Sequence, residues 1–245
     1  YASEGQPYGV IVGKKLNRTE AGEVIYENGL PTFDDKVSVL GNGNYDFTLG
    51  FRNAFSYKNL SMSVLVDMKF GADVYSMSKM QSHVNGTSKE TLEGREGWYA
   101  SEQARLSANV DAKDWTPTGG YVGKGVKAVT DADGNVSYVP NDVYVDPAKY
   151  WQALQNSSPE PFICDNSFVK LREVSLSYSC PKKWFVHTPI ESVTLSAYGR
   201  NLLLIYSKVD NIDPESSYNN GNGQGFEYGS LPSRRTFGFG INVKF

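Results

Sequence analysis

The chain has 245 residues, enough for one or two domains at roughly 150 residues each. Its 24 Lys and Arg against 27 Asp and Glu leave a formal charge of −3, which excludes a strongly basic nucleic-acid binder. Sixteen Tyr, 12 Phe and 4 Trp exclude an acidic disordered chain, and no apolar run approaches the roughly 18 residues of a membrane-crossing helix.

A negative mean hydropathy with 24 Gly suggests a turn-rich β protein. Transmembrane β-strands also have low mean hydropathy, because they alternate apolar and polar residues. Two Cys and two His are too few for a four-ligand structural metal site of the Cys/His type. Cys164 and Cys180 lie on the order of 40–50 Å apart if one strand joins them, so two free thiols are expected. The chain opens at Tyr1 with no Met and no leader, and is expected to be a fragment.

In chain order, residues 1–43 hold short apolar runs between turns, with Asn28-Gly29 as a hairpin signal. From Asn44 the odd positions Tyr45, Phe47, Leu49, Phe51, Phe55 and Tyr57 alternate with polar or small residues, which predicts a long strand with one apolar face. Lys58-Asn59 is a tight turn. Leu60, Met62, Val64, Val66, Met68 and Phe70 continue the alternation in a second strand. Residues 71–165 lose it. Short helices are predicted at 73–84, 89–106 and 147–155, with Asp73 and Ser88 as N-caps and Pro147 in a first turn. Asp133-Gly134 marks a hairpin. Alternation returns at Phe168, slips in phase around 170–173, which suggests a bulge or the water-exposed end of the strand, and resumes through Val174, Leu176 and Tyr178. A turn at 181–189 leads to Val193, Leu195, Ala197 and Gly199. A Gly/Asn-rich loop follows at 219–225. The last strand sets Phe237, Phe239, Ile241, Val243 and Phe245 against Thr236, Gly238, Gly240, Asn242 and Lys244.

About five strands of ten residues or so exceed the usual five or six of soluble proteins and match a tilted bilayer crossing. Turn lengths alternate short and long, as in outer-membrane barrels with short periplasmic turns and long extracellular loops. The expected fold is therefore all-β: an antiparallel transmembrane β-barrel segment with long extracellular loops carrying short helices. Residues 1–43 are expected as an extracellular loop or hairpin, 44–70 as a strand hairpin, 71–165 as a long extracellular loop, and 166–245 as the last three strands.

The segment Phe168-Val169-Lys170-Leu171-Arg172-Glu173-Val174-Ser175-Leu176-Ser177-Tyr178 resembles a motif of the SusC/RagA-type TonB-dependent outer-membrane transporters. Tyr198-Gly199-Arg200-Asn201-Leu202, Asn211-Ile212-Asp213-Pro214-Glu215 and the terminal strand from Arg235 to Phe245 match that family's later blocks in order. Glu4-Gly5-Gln6-Pro7-Tyr8-Gly9, Asn44 to Phe51 and Gly71 to Ser76 match earlier ones. The resemblance implies the C-terminal barrel part of a nutrient importer in a Gram-negative outer membrane, taking up glycans or peptides with its loops at the cell surface. It implies a SusD-like lipoprotein partner, TonB engagement through an N-terminal part not in this chain, and barrel assembly machinery reading Phe237, Phe239 and Phe245 as an assembly signal. No enzyme activity, cofactor, metal or nucleic-acid partner is expected. The alternative is a secreted or surface β-sandwich, a carbohydrate-binding or adhesin-like module.

Trp98, Tyr99, Trp115, Tyr121, Tyr144, Tyr150 and Trp151 concentrate in the long loop. They have two readings: contact with a ligand or partner, for which Trp and Tyr are the favoured residues, or a small core of the loop itself. Asp131-Ala132-Asp133-Gly134-Asn135 partly resembles a calcium loop but lacks its later oxygen ligands, and reads as a hairpin turn. His83 and His187 have no nucleophile or paired carboxylate nearby in sequence and are read as non-catalytic.

Overall fold

A computed structural model describes residues 4–216, 221 and 223–245; Tyr1 and part of the Gly/Asn-rich stretch at 219–225 lie outside the described residues. The strands are β1 (Val10–Leu16), β2 (Ile25–Glu27), β3 (Leu30–Pro31), β4 (Phe33–Asn42), β5 (Phe47–Tyr57), β6 (Leu60–Phe70) and β7 (Asp73–Ser76), then β8 (Val126–Thr130), β9 (Val136–Pro140), β10 (Ile163–Asp165), β11 (Phe168–Ser179), β12 (Ser192–Ser207), β13 (Phe226–Glu227) and β14 (Thr236–Lys244). The helices are α1 (Met77–Val84), α2 (Arg95–Ser107) and α3 (Pro147–Ser157). The chain divides into two compact units, Tyr1–Gly41 with Tyr75–Ile163, and Asn42–Val74 with Cys164–Phe245.

The first unit gathers the two stretches expected as separate loops into one fold. β1 pairs with β4, and a four-stranded sheet runs β3-β2-β8-β9. The β2–β8 pair is parallel, an arrangement that hairpin-by-hairpin reading did not anticipate. Asn28 (φ 52°) and Gly29 (φ 77°) make the predicted β2–β3 turn. The core joins Tyr26, Met80, Tyr150, Trp151, Leu154 and Phe162. α3 supplies three of these at i, i+1 and i+4, and Asp146 caps it by accepting from the Ala148 N–H at 2.9 Å. Gly123 lets the Tyr26 ring lie against bare backbone; a Cβ there would sit 2.1 Å from a ring carbon. Of the caps expected at Asp73 and Ser88, the first moves: Asp73 opens β7 and Ser76 caps α1. Ser88 keeps its N-cap position before 3₁₀ structure at Lys89–Leu92, without a side-chain cap bond, and α2 starts only at Arg95.

β10, β7 and β13 form a small separate sheet; the second unit is built on an antiparallel sheet in the order β14-β12-β11-β6-β5. Its register explains the alternation residue by residue, since cross-strand partners share a face. Phe51 faces Val66, Met62 faces Leu176, Leu195 faces Ile241 and Ala197 faces Phe239. These apolar rows are open: Phe237 and Phe239 are 66% and 87% exposed. The opposite face sets Ser63 against Ser175, Ser177 against Ser196, and Thr194 against Asn242. On it the Tyr198 ring covers Gly238, where a Cβ would come within 2.4 Å.

The phase slip at 170–173 is a bulge, with register breaks beside Arg172 on both neighbouring strands. Before it Phe168 and Lys170 lie on the charged face; after it Val174, Leu176 and Tyr178 lie on the apolar one. β12 is longer than its alternation suggested. It carries the matching irregularity at Asn201, whose φ of 51° fits an amide side chain better than a branched one.

The expected barrel segment needs correction in two respects. The described residues form fourteen strands in four sheets, not about five, and the five long strands make an open sheet rather than a closed barrel. Apart from β4, with ten residues, the surplus strands have seven residues or fewer and belong mostly to connections without sustained alternation.

Leu154 is 2% exposed at the centre of the first unit's core. Leu154→Ala should lower that unit's unfolding free energy by about 2–5 kcal/mol. Tyr144→Ala, at a 41% exposed position, should stay within about 0.5 kcal/mol. Denaturant melts of the full-length protein, read by limited proteolysis at 75–163, check the contrast.

Candidate functional site

The charged face of the sheet carries a dense ionic cluster. The Lys170 ammonium, its side chain only 4% exposed, donates to Asp213 at 3.0 Å, Glu215 at 2.8 Å and Ser233 Oγ at 2.9 Å. Arg172 grips Glu215 through both terminal nitrogens, at 2.6 and 2.8 Å, and reaches Asp67 at 2.6 Å. It also donates to Asn201 Oδ1 at 2.8 Å, while the Asn201 amide donates to the Arg234 carbonyl at 3.0 Å. Lys69 adds a third cation, 3.8 Å from Glu215 and above the Tyr45 and Phe168 rings. Three cations thus face three carboxylates, Asp67, Asp213 and Glu215, and the cluster is neutral as a whole.

Its geometry follows from the local sequence. Lys170 and Arg172 point to the charged face because the bulge beside Arg172 inverts the strand's phase. Asp213 and Glu215 straddle Pro214, and the Glu215 N–H donates to Asp213 at 3.1 Å, folding a tight anionic turn. The Pro214 carbonyl accepts from Asn166 at 2.8 Å, so the turn is tied to the backbone beside β11 as well. Burial pushes the Asp213 carboxyl up. Hydrogen bonds from Ser233, the Glu215 N–H and Lys170 outweigh that and bring it down to about 2. Glu215 is likewise opposed by burial but lowered, by Arg172 and then Lys170. Burial beside these anions pushes Tyr45 up to about 12. Further along the same face Glu173 accepts from Arg200 at 2.8 Å and lies 4.0 Å from Arg52. Sequence reasoning quoted these motifs but gave Lys170, Arg172, Asn201, Asp213 and Glu215 no role. Two charges at a phase slip, and two carboxylates flanking a proline, were the available signals.

The seven aromatics of the long loop separate into different settings. Tyr150 and Trp151 are core residues, and Tyr121 packs on Tyr150 at a 4.4 Å ring separation. Burial and then the hydrogen bond with Tyr26 push the Tyr150 hydroxyl far above the tyrosine range. Trp115 donates to Ser101 Oγ at 3.1 Å, and Tyr144 is exposed. Trp98, Tyr99 and one edge of Trp151 line a cavity of about 460 Å³ with His83, Arg95 and the first turn of α3. His83 is buried, with its ring nitrogens 2.8 Å from the Lys79 carbonyl and 2.7 Å from Glu90. Arg95 is committed to Thr91 and the Gly86 carbonyl. Asp131 accepts from the Asp133 and Asn135 N–H groups and so serves its own hairpin turn. Among the described residues no three His, Cys, Asp or Glu side chains gather as a metal site, and neither Cys164 nor Cys180 is in a disulfide.

Because Asp213 and Glu215 are lowered from their ordinary values, the ionic cluster stabilises the fold fully above those values. The Glu215 share begins to fade as pH falls below 4.5, and the Asp213 share fades as pH falls from 3.8 through about 2. In the full-length protein, hydrogen-exchange protection of the 209–216 amides, corrected for intrinsic rate, should be high at neutral pH and collapse across that acid window. Equal protection at both ends would show that the ion pairs do not hold the turn.

No family model matches the chain. It is 27% identical over 222 residues to the TonB-dependent receptor P3 of Formosa agariphila, covering 88% of this chain and 18% of that protein. It is 29% identical over 240 residues to the TonB-dependent receptor P26 of the same organism, covering 96% of this chain and 20% of that one. The chain therefore spans about a fifth of the length of these curated relatives, which are receptors rather than enzymes. In backbone it follows the RagAB peptide importer in its closed-closed state, with a TM-score of 0.55 at 15% identity over 96% of this chain and 23% of that one. The open-open state gives 0.53 at 14% identity, over 100% and 24%. Sequence and backbone path together make this chain similar to a segment of a TonB-dependent transporter of the SusC/RagA type.

Proposed function

We propose that the second unit is part of the wall of an outer-membrane TonB-dependent nutrient importer, and that the first unit is its cell-surface elaboration. One observation carries this reading: a single sheet of long strands leaves one face apolar and open while the other holds an organised ionic cluster. Lipid suits the first face and a wet lumen the second. A β-sandwich would have to cover the apolar face with a second sheet, and Phe239 at 87% exposure counts against that. The substrate is proposed as a glycan or peptide, received beneath a SusD-like lipoprotein. The names of the relatives and the peptide importers that share the backbone support this assignment. Energy coupling through TonB and delivery by the barrel assembly machinery are proposed to involve other parts of the full-length protein, with Phe237, Phe239 and Phe245 as the assembly signal. Trp98 and Tyr99, at the cavity of the first unit, are the proposed contacts for a ligand or partner among the loop aromatics.

Two experiments test the reading. The first is topological. Single cysteines at Asn59 and Gly123 in the full-length protein should differ towards an impermeant thiol reagent on intact cells: Gly123→Cys labels and Asn59→Cys does not. The reverse would overturn the orientation. The second concerns the last strand. Phe239→Lys places a charge in hydrocarbon at about 2–4 kcal/mol and should block assembly, whereas Asn242→Lys on the wet face should be nearly silent. Deleting Phe245 should lower surface abundance and leave periplasmic precursor. Unchanged surface levels after that deletion would remove the assembly signal.

A further inference from the structure

One end of the five-stranded sheet carries a charge that the rest of the chain does not. The Ser179 N–H donates to the Asn59 carbonyl at 2.8 Å, which sets the two short turns, 57–60 and 179–192, side by side. The Glu191 N–H donates to the Lys244 carbonyl at 2.7 Å and brings the end of β14 to the same end of the sheet, on the edge strand opposite β5. Lys58, Lys182, Lys183 and Lys244 lie along this end of the sheet with Glu191, giving four basic side chains and one acidic one in a chain whose formal charge is −3.

The backbone that carries these groups is held in place. Backbone bonds from Trp184 to Pro181, Phe185 to Lys182 and Thr188 to Phe185, at 2.9–3.0 Å, fold the longer turn tightly. Lys244 pairs with Glu191 at 2.9 Å, and Lys58 lies 5.2 Å over the Tyr57 ring. Lys182 and Lys183 meet no carboxylate among the described residues. Beside them Trp184 and Val186 are 60% and 69% exposed, and Tyr57 is 72% exposed. An ammonium pair next to an open indole, just past the end of an apolar sheet face, matches a phosphate joined to an acyl chain: the phosphate meets the ammonium groups and the indole lies at the hydrocarbon boundary.

We propose that this rim is a docking surface for anionic phospholipid, phosphatidylglycerol in the leaflet that the short turns face. Lys182 and Lys183 hold the phosphate, and Trp184 packs on the glycerol and upper acyl chain. The net positive charge selects an anionic over a zwitterionic headgroup. The inference rests on the reading of the sheet as a membrane wall.

The test uses the full-length transporter in nanodiscs of phosphatidylcholine, with and without a minority of phosphatidylglycerol. Native mass spectrometry counts the lipids retained. The wild type should retain phosphatidylglycerol preferentially. Lys182→Gln with Lys183→Gln should lower that preference on the order of fivefold per lysine, and Lys182→Arg with Lys183→Arg should keep it. Heat-modifiability on gels reports that each variant is folded. Failure of the wild type to insert in either bilayer would overturn the membrane reading itself. Insertion with equal retention of the two lipids, or a glutamine variant that retains phosphatidylglycerol as the wild type does, would overturn the rim inference alone.

Discussion

The second unit is organised around the pairing of Lys170 and Arg172 with Asp213 and Glu215. An ammonium with a 4% exposed side chain is tolerable only if its charge is met, and removing a partner from such a cluster costs about 3–5 kcal/mol. Meeting that charge imposes the rest. Lys170 must point away from the apolar rows, so β11 needs a bulge; Arg172 sits at that bulge and needs Asn201 opposite. The anionic turn at 213–215 is thereby drawn onto the strand, and the connection from β12 towards β14 is fixed at its start.

The bulge also reconciles two demands on one strand. Beyond it β11 must show Val174, Leu176 and Tyr178 to the apolar face, like its neighbours β6 and β12. Before it the strand shows Phe168 and Lys170 to the ionic cluster. A strand of strict period two could not meet both requirements, because every residue of one parity would share one face. One extra residue inverts the parity at the position where the environment changes.

The first unit rests on different physics. It is held by an aromatic and aliphatic core around Tyr150, Trp151, Leu154 and Phe162, stitched by residues far apart in the chain. Ser158 donates to the Lys14 carbonyl at 2.6 Å, and Glu160 accepts from the Leu16 N–H at 2.6 Å. A stretch of nearly a hundred residues between two long strands can therefore hold a shape without leaning on long alternation. It leaves Trp98 and Tyr99 at a cavity while their neighbours are spent on packing.

The sequence by itself determined the alternating stretches of the long strands and their faces, while the slip at 170–173 could be a bulge or an exposed strand end until the register decided it. Period-two alternation is a local property, and each of Phe47–Tyr57, Leu60–Phe70 and Thr236–Lys244 carries enough repeats to state it. The hairpin turns at Asn28-Gly29 and Lys58-Asn59 were legible for the same reason: a left-handed backbone position writes itself into the residue type or the spacing. The family motifs were legible as strings, yet not what they do. Only the tertiary structure decided that Lys170 faces Asp213, that Asn201 bridges Arg172 and Arg234, and that 1–41 folds with 75–163. Those pairings join residues tens to more than a hundred positions apart. Nothing in a local pattern says which buried cation a given carboxylate will meet, or which aromatic of seven will be taken up by the core. Burial and charge neutralisation settle both, and they operate only once the chain has closed on itself.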